Sequence, residues 1–255
     1  SLKMLWVVVT GFAQNRNAFA FQLLMILCAT IALSLPRGLS TAILAIALAA
    51  LWATGSRAGF GATSVVLAVA LYMRAITPKQ IAMALAGALG IVLAIILVDV
   101  LAVLLETGFG SLPFRNKSGL ATFSLPTDST NTERLRSLLG GIDLFRAHPF
   151  FGAGLGSFMA SEIRMGRAPL VIHSTPIWLL AELGLVGLCI FVAPAFRIFW
   201  SEIRRRTPDT SAFLLVMIIG GFAVMSLVHE MLYQRTLWLL LGAALASPVV
   251  ARRSG

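Results

Sequence analysis

Long apolar runs recur along the chain and predict its architecture. A helix crosses the hydrocarbon of a bilayer with about 17–25 residues, and seven runs reach or approach that length. They are 18–35, 39–53, 58–73, 81–105, 176–195, 211–228 and 236–250. Residues 4–12 are typical of the tail of a further span, so we expect more chain upstream of Ser1. Barrel strands alternate apolar and polar residues, whereas these runs are continuous and therefore predict helices.

The composition indicates the same class. The chain has 255 residues, of which 58% are hydrophobic and 12% charged, and its mean hydropathy is +0.92. A soluble domain carries about a quarter charged residues and could not bury so much apolar surface. This excludes disordered chains, ordinary cytosolic enzymes and disulfide-built secreted modules. Cys28 and Cys189 lie in apolar runs, and we expect them to be small buried hydrophobes, not a disulfide or metal ligands.

The basic residues predict an orientation. Lys and Arg number 20 against 10 Asp and Glu. If the polar connection 106–175 is periplasmic, ten basic residues face the cytoplasm and three lie in short outer turns. The other seven lie in the long connection, which is largely exempt from the positive-inside rule. We therefore predict an all-α polytopic bundle with N-terminal spans over 1–105, a periplasmic loop over 106–175 and C-terminal spans over 176–255.

The loop contains a predicted amphipathic helix. Thr130 and Glu133 have the spacing of a capping box. An apolar stripe follows at helical intervals: Leu135, Leu138, Leu139, Ile142 and Phe145. The helix is expected to stop before Pro149 and to lie with this stripe on the outer face of the bundle. The glycine-rich turn 150–156 comes next, and it is no dinucleotide site because no strand precedes it.

Three arginines are candidates for anion binding at this outer face. Arg57 lies between two apolar runs, on the side where positive charge is scarce. It is either a snorkelling anchor or an anion contact. Arg134 and Arg136 lie on the loop helix, where they either form a solvated face or bind phosphate through paired guanidinium hydrogen bonds.

His173 is the main candidate for proton transfer. It precedes Ser174-Thr175-Pro176, which is typical of a helix start, with Ser174 or Thr175 as the cap. The positive end of that helix favours a neutral imidazole, which can accept a proton. A surface histidine without a role is the alternative. Glu182 lies well inside the same span and either serves function or holds helices together.

Metal chemistry is not supported by the sequence. The acidic residues are scattered, and no Asp-x-Asp pair or His/Cys cluster has ligand spacing. We also find no Walker loop and no serine elbow. We expect no metal, no other cofactor and no nucleic-acid partner.

Several stretches resemble the O-antigen ligase and O-antigen polymerase family. Arg134 lies fifteen residues before Pro149 of a His-Pro pair, as in the family's loop helix. His173, followed after nine residues by Glu182 and then by Gly184, is similar to the family's second motif. The stretches 11–17, 56–59 and 229–238 resemble its outer turns and carry Asn17, Arg57 and His229. The chain differs from the family pattern at Ser174, usually asparagine, and at Leu138, usually aromatic.

The resemblance implies a GT-C-like glycosyltransferase of the bacterial inner membrane. It implies transfer of glycan from undecaprenyl diphosphate, at the periplasmic face, to a sugar hydroxyl of the lipid A core, of a lipid-linked chain or of a protein. His173 would activate the acceptor. Arg57 and Arg134 would bind the diphosphate, and Arg136, Asn17, Glu182 and His229 are weaker candidates for substrate contacts.

Three other functions stay open on the sequence. A transporter or flippase of lipid-linked saccharides would carry mid-membrane charges and broken helices. A non-catalytic membrane subunit would not need arginines and histidine on one side. A peptidoglycan-type polymerase is the enzymatic alternative, and the loop motifs argue against it.

Overall fold

The computed structural model describes residues 15–33, 35–107, 128–205 and 209–253. Every regular element in these ranges is a helix. The helices are α1 (Arg16–Ala32), α2 (Arg37–Thr54), α3 (Arg57–Tyr72), α4 (Pro78–Thr107), α5 (Asp128–Ala147), α6 (Ser157–Arg164), α7 (Thr175–Ile203), α8 (Thr210–Ser226) and α9 (Arg235–Arg253). Each of the seven predicted spans corresponds to one helix, which confirms the all-α class, although the predictions 18–35, 58–73 and 211–228 extend past the ends of their helices at Ala32, Tyr72 and Ser226. The predicted partial span 4–12 lies outside the described residues.

Short polar side chains define where several helices begin. Asn15 Oδ1 accepts from the backbone N–H of Asn17 at 2.8 Å at the start of α1. Ser56 Oγ accepts from Gly59 N–H at 3.1 Å at the start of α3, and Asp209 caps α8 in the same way. These contacts satisfy backbone donors that no helical carbonyl can reach.

The centre of the bundle is formed by α1, α3 and α8. Phe21, Leu24, Val66, Met217 and Ile218 are almost completely buried there. On one side α2 packs on α1 and carries α4, while on the other side α7 and α9 pack on α8. The bundle thus has a polar end, where α1, α3, α7 and α9 begin, and an opposite end, where α2, α4 and α8 begin.

The outer surface of α4 is apolar. Leu85, Leu89, Leu93 and Leu97 recur every fourth residue, and each is more than half exposed. Within the described ranges, three helices are long and apolar enough to cross a membrane, namely Arg37–Thr54, Pro78–Val98 and Thr175–Ile203. Four shorter apolar helices accompany them. Since lipid is the solvent that suits such a surface, the chain is a multi-pass membrane protein.

The loop helix differs in two ways from the prediction. It begins at Asp128, so Thr130 lies inside the helix and is not its cap. Its contact face is also rotated, because Leu135 and Leu139 are more than half exposed while Ser137 is fully buried. Leu135 and Leu139 therefore belong to an exposed apolar surface.

Two glycines place α5 close to its neighbours. A Cβ on Gly140 would lie 2.7 Å from Phe158 of α6, and one on Gly141 would lie 2.8 Å from Ile177 of α7. The absence of side chains on Gly140 and Gly141 allows the helix to approach α6 and α7 closely. Helix α6 was not predicted from the sequence. Cys189, which was expected to be buried, is exposed on α7, whereas Cys28 is buried.

Candidate active site

His173 and Glu230 form a pair at the polar end. Nδ1 of His173 lies 3.0 Å from Oε2 of Glu230, although the two residues are 57 positions apart. Both side chains are roughly one quarter exposed. Burial alone would raise the pKa of Glu230, but the hydrogen bond to His173 and smaller favourable contributions outweigh it and hold that pKa below its usual value. An ionised carboxylate only accepts, so Nδ1 carries a hydrogen, and in the neutral tautomer that this contact selects Nε2 has the free lone pair.

Backbone contacts keep this pair in place. The hydroxyl and the N–H of Thr175, the first residue of α7, both donate to the carbonyl of His229, at 2.9 and 3.3 Å. The same hydroxyl accepts from the N–H of Met231 at 3.0 Å. The turn after α8 is therefore bonded to the start of α7. Ser174 occupies the predicted cap position, but its side chain makes no capping hydrogen bond.

His229 is the most buried ionisable group of this cluster. Only 6% of the residue is exposed. Burial contributes most to lowering the pKa of His229, and the positive charge of Arg134 contributes next. The negative charge of Glu230 raises this pKa, whereas His173 and Arg16 lower it by smaller amounts. Together they lower the pKa of His229 from 6.5 to about 4, so the ring is neutral at pH 7.

Cations surround the histidines on one side. Arg134 and Arg16 are half-buried, and both act electrostatically on His229. Neither guanidinium has an ion pair with an acid within the described part of the chain. Positive charge without a partner at a partly buried site favours binding of an anion.

Arg57 and Asn17 lie at the neighbouring helix starts. Ser56 Oγ donates to Asn17 Oδ1 at 2.9 Å and so joins the beginnings of α3 and α1. Arg57 is the first residue of α3, is exposed, and has no ion pair among the described residues. The link places Arg57 at the same end as Arg16, next to the residue that holds Asn17.

Arg136 has a different environment. Its Nη2 lies 3.1 Å from Oε2 of Glu162, and Nη1 of Arg167 lies 3.2 Å from Oε1 of the same residue. Glu162 is only 3% exposed, and the two ion pairs offset the cost of burying its carboxylate. Arg136 and Arg167 together neutralise the carboxylate of Glu162. Substrate binding by Arg136 stays a prediction.

Glu182 holds the glycine-rich turn. Its Oε2 accepts from the N–H of Gly156 at 2.8 Å, and it is 4% exposed. Close by, α7 is interrupted at Gly184, whose φ of 68° and ψ of −170° are not helical. The carbonyls of Pro149 and Phe150 accept from the N–H groups of Leu185 and Val186 at 2.9 and 3.1 Å. The turn thus bonds to backbone groups that the interruption exposes, which accords with the helix-holding alternative for Glu182.

The structure brings together residues that the sequence analysis named and others that it did not. His173, His229 and Arg134 gather at one point, together with Glu230 and Arg16, which were not among the candidates. Glu230 is the acidic residue of a short outer turn, and Arg16 is a basic residue on the side where bases are scarce. Those positions in the outer turns were the signals by which Glu230 and Arg16 could have been identified from the sequence. Within the described residues, no group of three or more His, Cys, Asp or Glu could hold a metal ion.

Fold and site define a multi-pass helical membrane protein with a polar cluster of histidines, arginines and a carboxylate at one end of its bundle. A family model described as O-antigen ligase matches residues 42–192, more than half of the chain, and the chain therefore belongs to that family. The match includes Arg57, Arg134, Arg136, His173 and Glu182, and it excludes Asn17 and His229. No curated protein and no solved structure matches the chain. Membership identifies it as a membrane protein of O-antigen-type glycan processing.

Proposed function

We propose that the chain is a glycosyltransferase that moves glycan from undecaprenyl diphosphate to a sugar hydroxyl of an acceptor. The transfer takes place at the periplasmic face of the inner membrane, and the polar end is that face. The acceptor is the lipid A core or a growing lipid-linked glycan. The observation that carries the proposal is the His173–Glu230 pair beside Arg134 and Arg16, neither of which has an ion pair among the described residues.

The pair suits general-base catalysis. Glu230 holds the hydrogen on Nδ1 and leaves Nε2 of His173 free to accept a proton from the acceptor hydroxyl. The hydroxyl oxygen then attacks the anomeric carbon of the donor sugar. As the new C–O bond forms, the bond from that carbon to the diphosphate oxygen breaks, and undecaprenyl diphosphate leaves with the electron pair.

The arginines suit the leaving group. Its negative charge grows in the transition state, and preorganised cations lower the barrier because they are already oriented. Arg134 and Arg16 lie beside the histidines, and Arg57 stands at the start of α3 at the same end. Four helices also begin here and direct their positive dipole ends toward it. The residues of this chain thus supply charge for a diphosphate without a divalent metal.

One observation bears on the flippase alternative. Transporters use broken helices whose free backbone groups bind substrate, and α7 is interrupted at Gly184. Here the glycine-rich turn occupies the interruption through four backbone hydrogen bonds, those of Ala153, Gly154, Leu185 and Val186. The broken segment is filled by the protein itself, which favours transferase chemistry at the polar end.

The test is transfer of labelled undecaprenyl-diphosphate-linked glycan in membranes that contain the full chain. His173→Ala should reduce the rate by roughly 10²-fold or more, while His148→Ala, at an exposed histidine beyond α5, should leave it unchanged. His173→Gln keeps a hydrogen-bond donor but cannot shuttle a proton, so it should be as inactive as the Ala variant. Glu230→Gln should lower kcat with little change in the donor KM, because Glu230 orients the His173 ring and lies apart from the arginines proposed for the diphosphate.

Full activity of His173→Ala at normal expression would refute general-base catalysis by this residue. An active Gln variant beside an inactive Ala variant would assign His173 an orienting role.

A further inference from the structure

A cavity of about 350 Å³ adjoins the His173–Glu230 pair. It lies between the glycine-rich turn, the segment before α7, the first turn of α7 and the turn after α8. Glu230 itself forms part of the wall, so the cavity reaches the partner of the proposed base. Its volume is at the lower end of the range of small-molecule sites, which is about 300–1,000 Å³.

Two aromatic rings form one side of the cavity. The centroids of Trp178 and Tyr233 are 6.0 Å apart, and the ring planes are inclined by 46°. Trp178 is half-buried on α7, whereas Tyr233 is 69% exposed on the turn after α8. A large exposed aromatic beside a cavity offers its electron-rich face to partners with positively polarised hydrogens. The C–H groups on one face of a pyranose ring are such partners.

Two carboxylates provide the polar part of the wall. Glu230 and Glu182 both line the cavity. Ionised carboxylates only accept hydrogen bonds, so they fit a ligand that is rich in hydroxyl donors. No Lys or Arg lines the cavity among the residues that the structure describes, whereas Arg134 and Arg16 act on His229. Negative charge here would repel a diphosphate and accept a neutral sugar.

We propose that the Trp178–Tyr233 cavity binds a pyranose ring of the acceptor glycan, with its C–H face on the aromatic rings and its hydroxyls toward Glu230 and Glu182. The inference rests on the proposed function, because it assigns the acceptor of that same reaction a place. A pyranose held by Glu230 lies on the Nδ1 side of His173, and the hydroxyl that reaches Nε2 belongs to a neighbouring part of the same acceptor glycan. Donor and acceptor would thus bind on opposite sides of His173, diphosphate with the arginines and sugar with the carboxylates.

The chemistry disfavours a hydrocarbon tail in this cavity. Leu155, Phe158 and Met159 do provide apolar wall, but an acyl chain would leave two carboxylates facing hydrocarbon. Burying charge without hydrogen bonds costs several kcal/mol. A pyranose satisfies both parts of the wall, since it has apolar C–H faces and polar edges.

Saturation-transfer NMR on the purified full chain in detergent tests the site directly. The probes are a panel of methyl hexopyranosides and methyl heptopyranosides. Wild-type protein and His173→Ala should transfer saturation to the ring C–H protons of at least one glycoside. Trp178→Ala and Tyr233→Ala should lose that signal, and Trp178→Phe should keep part of it. Trp200→Ala is the matched control, because Trp200 lies near the far end of α7, stacked with Phe196.

Transfer kinetics separate this site from the catalytic residues. Trp178→Ala should raise the acceptor KM by about tenfold, the upper range for one aromatic contact, and leave the donor KM unchanged. Thermal unfolding in detergent shows that each variant is folded, and Trp178→Phe serves if the Ala variant is not.

Three results would overturn the inference. They are the absence of saturation of every glycoside in wild type, unchanged binding and acceptor KM in Trp178→Ala and Tyr233→Ala, and displacement of the glycoside by a dioctanoyl lipid. An inactive His173→Ala beside any of these would leave the proposed function standing. An active His173→Ala beside Trp178-dependent glycoside binding would refute the proposed base and keep the sugar site.

Discussion

Arg134 and Arg136 lie two residues apart on α5, and their side chains have different surroundings. Arg134 turns its charge toward buried His229 and has no carboxylate partner in the described part of the chain. Arg136 pairs with Glu162, which is almost completely buried. Arg134 is therefore available to bind an anionic ligand, whereas Arg136 neutralises an acidic residue of the protein itself.

This difference predicts opposite behaviour of matched variants. Arg134→Lys should lower transfer by on the order of 10²-fold and leave thermal stability nearly unchanged, because an ammonium cannot reproduce the forked contact. Arg136→Gln should mainly lower the unfolding temperature, because it weakens the neutralisation of buried Glu162. Transfer assays and thermal unfolding in detergent separate the two. Near-normal transfer by Arg134→Lys would make that residue a simple cationic anchor.

His229 shows how the cluster responds to acid. Its folded pKa of about 4 lies below the unfolded value of 6.5, so the unfolded chain binds the proton first as the pH falls. Stability contributed by the neutral ring is present above pH 6.5 and is lost as the pH drops toward 4. The groups that act on this ring are Arg134, Glu230, His173 and Arg16.

We therefore expect the unfolding temperature to fall between pH 6.5 and 4, with a loss of at most on the order of 3 kcal/mol from this residue. His229→Gln should flatten that part of the pH profile. Parallel profiles for wild type and variant would contradict the burial of a neutral His229.

At the scale of elements, the glycine-rich turn and the interruption of α7 form one unit. Gly152 and Gly184 both have positive φ, at 72° and 68°, and their backbones pass so closely that neither has room for a Cβ. The turn supplies carbonyls where α7 lacks its own hydrogen bonds. This unit fixes the first part of α7, and hence the positions of His173 and Trp178, relative to the loop.

Gly184→Ala should disrupt this unit. The added methyl group would overlap the carbonyl of Phe150, and the left-handed backbone costs roughly 1–2 kcal/mol for any other residue. We expect a markedly lower unfolding temperature and a small yield of folded protein. Gly154 also has a positive φ, at 96°, but a Cβ there would meet open space. Gly154→Ala should therefore lose only the conformational energy of a positive φ. Equal effects of the two substitutions would show that the close approach is unimportant.

At the scale of the whole molecule, the two ends of the bundle differ in chemistry. The polar end combines helix starts with the histidine and arginine cluster. The opposite end has ordinary anchoring contacts, such as the hydrogen bond from Gln80 Nε2 to Ser40 Oγ at 3.1 Å. Basic residues lie at the helix termini there: Arg37 and Lys79 at the starts of α2 and α4, and Arg204 directly after α7. Such an asymmetry is the one that orients membrane proteins with the basic end inside.

Cysteine labelling tests this orientation. In a background with Cys28 and Cys189 replaced by alanine, Arg146→Cys on α5 should react with an impermeant thiol reagent in intact spheroplasts. Lys79→Cys, at the start of α4, should react only after the membrane is permeabilised. Both positions are exposed, so access and not burial decides the result. The reverse pattern would place the polar end in the cytoplasm and remove the basis of the proposed function.

Features that depend on neighbours along the chain could be predicted from the sequence. Hydropathy predicts the seven helices that correspond to the predicted spans. Proline and helix-start residues predict the end of α5 before Pro149 and the start of α7 at Thr175, because these signals act locally. His173 was identified by the same local logic and by its resemblance to a family motif. Its role stays a prediction that the paired Glu230 supports.

Features that depend on how helices pack were decided only by the tertiary structure. Helix α5 packs against its neighbours through its glycines, and part of its leucine stripe is exposed. Close approach at the glycines determined the contact face, and the apolar periodicity did not. Arg136 found Glu162, and His173 found Glu230 across 57 residues, because the relative rotation of packed helices sets which side chains meet. Local periodicity contains no information about that rotation, so the site could be located from the sequence, but its pairs could not.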